Sequence, residues 1–347
     1  MTIGLKYGLG FAAALLLSTE ASAVGRTFVK SNGLDTNTAT NCGPTTPCRT
    51  FNAALSVTSS GGEVIVLDSA GYGPAPINIT QSVSIIAPDG IYAGITVPAA
   101  SDGIDISGSG VSVVLKGLTI TGGTSAGTNS GILMTGGPSS LIVEGCWISG
   151  LSFSQEIWIA GPIQARIVDT TVRDGRGGIG IAAGATASIS RVKVFNMSSW
   201  GVFVFDEGAS TAPAQSYASI TDSELDNVGQ TAAALWAYSY AVNSELFVDR
   251  TVITGGTNGV LASSISAGSF AYVTVTNSLV SKAAVGLQTT QASGTAEITF
   301  SNSAINANGN GVSNGAGGTL VSTGTNLFVG NGTDLAPSST ITTITTR

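Results

Sequence analysis

The residues best suited to chemistry recur at one position of a repeated segment. The segment has the form apolar, any, polar or glycine, small, any, apolar. It occurs as Val143-Glu144-Gly145-Cys146-Trp147-Ile148, Ile167-Val168-Asp169-Thr170-Thr171-Val172 and Ile220-Thr221-Asp222-Ser223-Glu224-Leu225, with further copies beginning at Val275 and Phe300. Copy by copy, the third position reads Gly117, Gly145, Asp169, Arg191, Asp222, Asp249, Asn277 and Asn302. If the copies stack as strands about 4.8 Å apart, Asp222 and Asp249 approach the ~5–5.5 Å at which the two carboxyls of a retaining glycosidase work. Any two acids on neighbouring strands meet that condition. Arg191, between Asp169 and Asp222, offers a plainer account: an ion-paired ladder at a bend. The stretch 166–176 is the densest charge cluster of the chain. There Arg173 or Arg176 has the chemistry of a lyase's base, or of the cation that holds a uronate carboxylate. A solvated bend with weak local ion pairs explains the same residues.

Composition removes other chemistries. The 347 residues include no His, which excludes His-based triads, His-ligated zinc and any imidazole relay. Only 10% are charged and the net charge is −7, without the clustered Lys and Arg that a nucleic-acid backbone requires. With 43% hydrophobic residues the chain has ample apolar surface to bury. The glycine-rich stretch 175–180 precedes an apolar alternation and lacks a following Lys-Ser/Thr, so it is no phosphate loop.

A second repeated segment, Gly-apolar-any-apolar, carries a different chemistry. It occurs as Gly131-Ile132-Leu133-Met134, Gly178-Ile179-Gly180-Ile181 and Gly201-Val202-Phe203-Val204, with variants at Glu156, Ala234, Gly259, Gly286 and Gly311. With its flanking apolar residues turned inward, the middle residue turns outward. That outward column reads Asp105, Leu133, Trp158, Gly180, Phe203, Trp236, Leu261, Gln288 and Ser313. Leu133, Trp158, Phe203, Trp236 and Leu261 thus form a candidate binding surface, with a notch at Gly180. Flat aromatics suit stacking against sugar rings or contact with another protein. The alternative is that long loops, such as 207–217, fold over the column.

Both segments must sit on strands. Their apolar residues alternate, the period of a strand with one buried face, and β-branched residues dominate them. Asn, Asp and Gly at the polar position tolerate the left-handed conformation of a tight bend. The copies recur every 22 to 33 residues, and one unit of strand, loop, strand, bend, strand buries its apolar side only by stacking on its neighbours. The expected fold is all-β: a right-handed parallel β-helix of about a dozen coils.

The repeat resembles the pectin-lyase-like right-handed parallel β-helix superfamily over roughly residues 60–330. The front end resembles the opening of many secreted bacterial β-helix proteins, through Thr27-Phe28-Val29, Gly33-Leu34-Asp35 and Pro47-Cys48-Arg49-Thr50-Phe51-Asn52-Ala53-Ala54-Leu55. Phe51, Ala54 and Leu55 have helical spacing and predict a short helix capping the core. The resemblance implies polysaccharide chemistry, but the motifs that would carry it are missing. The polygalacturonase Asn-Thr-Asp, Asp-Asp, Gly-His-Gly and Arg-Ile-Lys segments, the pectate-lyase Trp-x-Asp-His and the methylesterase motifs do not occur.

Residues 1–23 read as a signal peptide: Lys6, an apolar run at 9–17, and Ala21-Ser22-Ala23 for cleavage. Cys42 and Cys48 lie six positions apart in a turn-rich segment and are expected to form a disulfide; Cys146 is expected to be a buried thiol. The organisation predicted is signal peptide 1–23; strand, Cys loop and capping helix 24–60; β-helix 61–330; and a Thr-rich tail 331–347. A secreted location follows (extracellular, cell surface or periplasm), with no membrane span after cleavage. Polysaccharide or surface glycan is the expected partner, and nucleic acid is not. No metal site or cofactor is expected; Ca2+ is possible but not indicated. The favoured reading is a secreted scaffold or binding rod without a recognisable catalytic centre. The alternative is a polysaccharide lyase or glycoside hydrolase using Asp169, Arg173, Arg191, Asp222 and Asp249.

Overall fold

A computed structural model describes residues 24–122, 130–152, 155–206, 214–315 and 317–344. The proposed signal peptide and the core of the 207–217 loop, residues 207–213, lie outside them. The strands assemble into three parallel sheets, one of thirteen strands and two of eleven. Each turn of the chain visits all three, giving a solenoid of about 11 turns. The first face runs from Val24–Val29 to Thr342–Ile344, the second from Ile77–Ile79 to Thr333–Leu335, and the third from Ala70–Gly71 to Leu327–Val329.

The repeat registers as its spacing predicts. Ile132, Ile157, Ile179, Val202, Leu235, Val260, Leu287 and Val312 are successive partners on the second face, and all are buried. The glycine that opens each copy has a packing reason. A Cβ on Gly103, Gly131, Gly178 or Gly201 would stand 2.2–2.7 Å from a carbonyl oxygen of the next coil, far inside van der Waals contact.

Two corners flank the short third-face strands, and each is built from left-handed residues. One column is Gly117, Gly145, Asp169, Arg191, Asp222, Arg250, Asn277 and Asn302; the other includes Gly150, Asp174, Asn196, Asn227 and Gly255. The sequence reading put Asp249 in the first column. Arg250 occupies that place, and Asp249 lies one residue earlier, in register with Thr221. The segment Val248-Asp249-Arg250-Thr251 admits both readings because an acid and a base stand side by side.

The small residue after the bend forms a buried hydroxyl ladder. Thr170, Ser223, Thr251, Ser278 and Ser303 each donate to the carbonyl two residues back. Thr170, Ser223, Ser278 and Ser303 also accept the N–H of the preceding coil's equivalent residue. Cys146 fills the same column with sulfur. Its Sγ is 3.6 Å from the Leu115 carbonyl, and burial pushes its thiol up to about 12.

At the N-terminal end the helix Phe51–Leu55 forms as expected. Thr50 caps it by accepting the Ala53 N–H, and Phe51, Ala54 and Leu55 are buried. Phe51 packs on the buried Tyr72 at 5.4 Å. Cys42 and Cys48 are bonded. At the other end, the segment read as a tail supplies two more strands, Thr333–Leu335 and Thr342–Ile344, paired into the second and first faces.

Candidate functional site

The outward residues of the second face stack from coil to coil. Asp105, Leu133, Trp158, Gly180, Phe203, Trp236, Leu261, Gln288 and Ser313 are successive register partners. Gly180 leaves no empty notch, because the Trp158 ring lies over it: a Cβ there would meet Trp158 Cε3 at 2.2 Å. The rings form one cluster. Trp158 lies 6.5 Å from Trp200, Trp200 5.3 Å from Phe203, and Phe203 4.8 Å from Trp236. Phe205 and Tyr238 extend it sideways, each about one ring away at 5.4 and 5.3 Å from Phe203 and Trp236. Trp236 is oriented by a bond from its Nε1 to Ser263 Oγ, 3.1 Å, and that hydroxyl is in turn within 2.9 Å of Thr290.

Trp158, Phe203 and Trp236 are half-buried, while Leu261 is buried. Trp200, absent from the sequence-based column, stands at the start of its strand with its indole over Gly177. Gln155, Trp158, Arg176, Gly177, Trp200 and Phe203 enclose a shallow recess. The pairing of glycines at 177 and 180 with tryptophans one coil away was the available signal for it.

The charged residues predicted as catalytic gather at the first corner, Arg173 excepted. Arg191 holds Asp169 through two bonds of 2.7 and 2.9 Å, and Arg250 holds Asp222 in the same bidentate way at 2.7 and 2.9 Å. Arg250 also pairs with Asp249, whose other oxygen accepts from Thr276 and Asn277 at 2.8 and 2.7 Å. The Arg191 bond holds the Asp169 carboxyl below the usual range, and the Arg250 bond does so for Asp222. Partial burial works the other way on Asp249, yet the bonds from Asn277 and Thr276 keep it low as well. Arg173 sits on the third face, paired with Asp174 at 2.5 Å and lying 5.4 Å over the Trp147 ring.

Carboxyl-based glycoside hydrolysis needs one carboxyl held protonated beside an ionised one. Here Asp169, Asp222 and Asp249 are all held below the usual range, and each pairs with an arginine.

Two acids are held above the usual range. Glu156 is pushed up to about 8, chiefly by burial and also by Asp174. It stands where the flanking coils carry Gly131 and Gly178 and is sealed from solvent. Its Oε1 accepts the Leu151 N–H at 3.0 Å, while Oε2 has no partner among the described residues. Asp105 is raised by desolvation first and by Asp102 second. It is half-buried and begins the outward column two coils before Trp158. Among the described residues no group of three or more metal-ligating side chains occurs, and no helix is long and apolar enough to cross a membrane.

No family profile and no curated protein matches the chain. Solved structures do. A polygalacturonase from Erwinia carotovora ssp. carotovora is 12% identical with a TM-score of 0.55, covering 96% of this chain and 100% of its own. A pectate lyase, Pel9A, is 12% identical with a TM-score of 0.50, covering 90% and 79%. A GH136 lacto-N-biosidase from Eubacterium ramulus is 10% identical with a TM-score of 0.50, covering 93% and 67%. At these identities the likeness is one of architecture: the solenoid has the fold of the pectin-lyase-like parallel β-helices.

Proposed function

We propose that the protein is a secreted β-helical rod that binds polysaccharide or a surface glycan on its second face. The observation that carries this reading is the ring cluster of Trp158, Trp200, Phe203 and Trp236, laid along successive coils of a rigid sheet. Sugar rings present flat C–H faces, and a rigid aromatic surface receives them with little loss of side-chain freedom. The Cys42–Cys48 bond supports an oxidising compartment. The solved proteins that share the fold are named for glycan chemistry, which supports the ligand class.

The lyase or hydrolase alternative rests on a different acid from the pair suggested by sequence. Asp105, raised and in line with the ring cluster, is better suited to donate a proton than Asp222 or Asp249. Screening the mature protein on a glycan array, with product analysis of every polysaccharide bound, separates the two readings. Retention without product supports the rod. Product formed by the wild type and lost in Asp105→Asn establishes an enzyme.

A further inference from the structure

The two ends of the rod are finished differently. At the N-terminal end, every sheet has its outer edge bonded by residues 42–52. Cys42 and Cys48 exchange backbone bonds with Phe28 and Lys30 on the first face. The Phe51 N–H and the Arg49 guanidinium reach the Tyr72 and Gly71 carbonyls on the third. Asn52 accepts the Asn78 N–H on the second, at 3.1 Å.

At the C-terminal end the last strands are Leu327–Val329, Thr333–Leu335 and Thr342–Ile344. Among the described residues, no hydrogen bond reaches their outer edges. Leu327, Val329, Leu335 and Ile344 are 58%, 50%, 40% and 51% exposed. Exposed sheet edges are ordinarily guarded by charges, Lys above all, or by Pro. Between residues 301 and 344 the sole charged residue is Asp334.

We propose that this end is a self-association surface, on which a second copy of the chain docks tail to tail. An open strand edge is satisfied by another open strand edge. The N-terminal edge is taken up at Phe28, Lys30, Gly71, Tyr72 and Asn78, which disfavours head-to-tail stacking into filaments, whereas the C-terminal edge of a second copy is complementary. A two-fold axis across the rod sets one face's last strand antiparallel to its own copy and lets the other two faces exchange partners. That contact is closed and isologous. Among the described residues of this end each copy brings only Asp334, and Arg347 beyond them has the opposite sign, so little like-charge repulsion opposes the contact. Three short edges and four apolar side chains make a small contact, so association depends on concentration.

Sedimentation velocity of the mature protein over about a hundredfold range of concentration tests the proposal. The expected result is a shift from one copy to two. Leu327→Lys with Leu335→Lys weakens the association at least about tenfold, while Leu34→Lys, an exposed position at the covered end, leaves it unchanged. Both substituted sites are exposed, and a melting curve confirms that the variants fold. A single copy at every concentration overturns the proposal. So does a dimer that ignores the paired Lys variant, or one abolished by Leu34→Lys. A single copy in this chain that becomes a dimer when residues 345–347 are removed also overturns it, by showing that the chain's own last residues cover the edge.

Discussion

On the second face, Trp158, Trp200, Phe203 and Trp236 touch one another and leave a shallow recess beside Arg176. At the first corner, Asp169, Asp222 and Asp249 each meet an arginine. Both regions arise from the same device, one side chain per coil repeated along the rod. They differ in what neighbouring coils do for each other. At the corner, coils pair an acid of one with an arginine of the next, so the charges offset one another. On the second face, coils place ring beside ring, which enlarges an apolar surface without satisfying it. A column of side chains becomes a binding site when its members add up, and a structural ladder when they cancel.

The largest expected effect concerns Glu156, the acid walled in behind the second face. Its folded carboxyl keeps its proton up to about 8 against an ordinary 4.5. Folding therefore takes up a proton between those values, so this group's contribution to stability is full below 4.5, falls as pH rises, and levels off above about 8. The span is on the order of 5 kcal/mol. Denaturation of the wild type at about pH 5 and about pH 9 should show that fall, and Glu156→Gln should flatten it. A slope unchanged in the variant would show that another group carries it.

Next in size is the seat of Trp158. Gly180→Ala adds a carbon 2.2 Å from the indole, displacing the ring without changing the aromatic content. Glycan affinity should drop about tenfold, or ~1.4 kcal/mol, with the corner's salt response untouched. Unaltered affinity would mean that the position of Trp158 does not matter to binding.

The corner gives the smallest effects, and with the opposite sign in pH. Asp169, Asp222 and Asp249 are held low, so their contribution is present above the ordinary 3.8 and is lost only as pH falls through their lowered values. Arg250→Ala should lower the melting temperature more than Arg191→Ala, because Arg250 serves two acids and Arg191 one. Both losses should shrink as salt is added. Equal losses that ignore salt would point to packing of the side-chain stems.

Much of the solenoid was legible because its signal is periodic: Ile132 to Val312 fall into register from spacing alone. The outward column was legible for the same reason. Asp249 was placed where Arg250 stands because one-residue register hangs on the left-handed bend, and both Asp249 and Arg250 offer a polar side chain there. Trp200 was missed because it lies at a strand's start, outside the alternation, and reaches the cluster by crossing Gly177. Glu156 stood in the glycine column of the repeat, but its burial depends on neighbours such as Met197 and Gly175 that no local pattern brings together.

The central claim is that the second face binds glycan and the first corner does not. Calorimetric titration of a retained polysaccharide into three proteins tests it most directly: the wild type, Trp158→Ala with Trp236→Ala, and Asp222→Asn with Asp249→Asn. The account predicts binding by the wild type and the Asp variant alike, loss in the Trp variant, and no product in any cell. Binding that survives loss of both tryptophans, or product that disappears with the two aspartates, would contradict it.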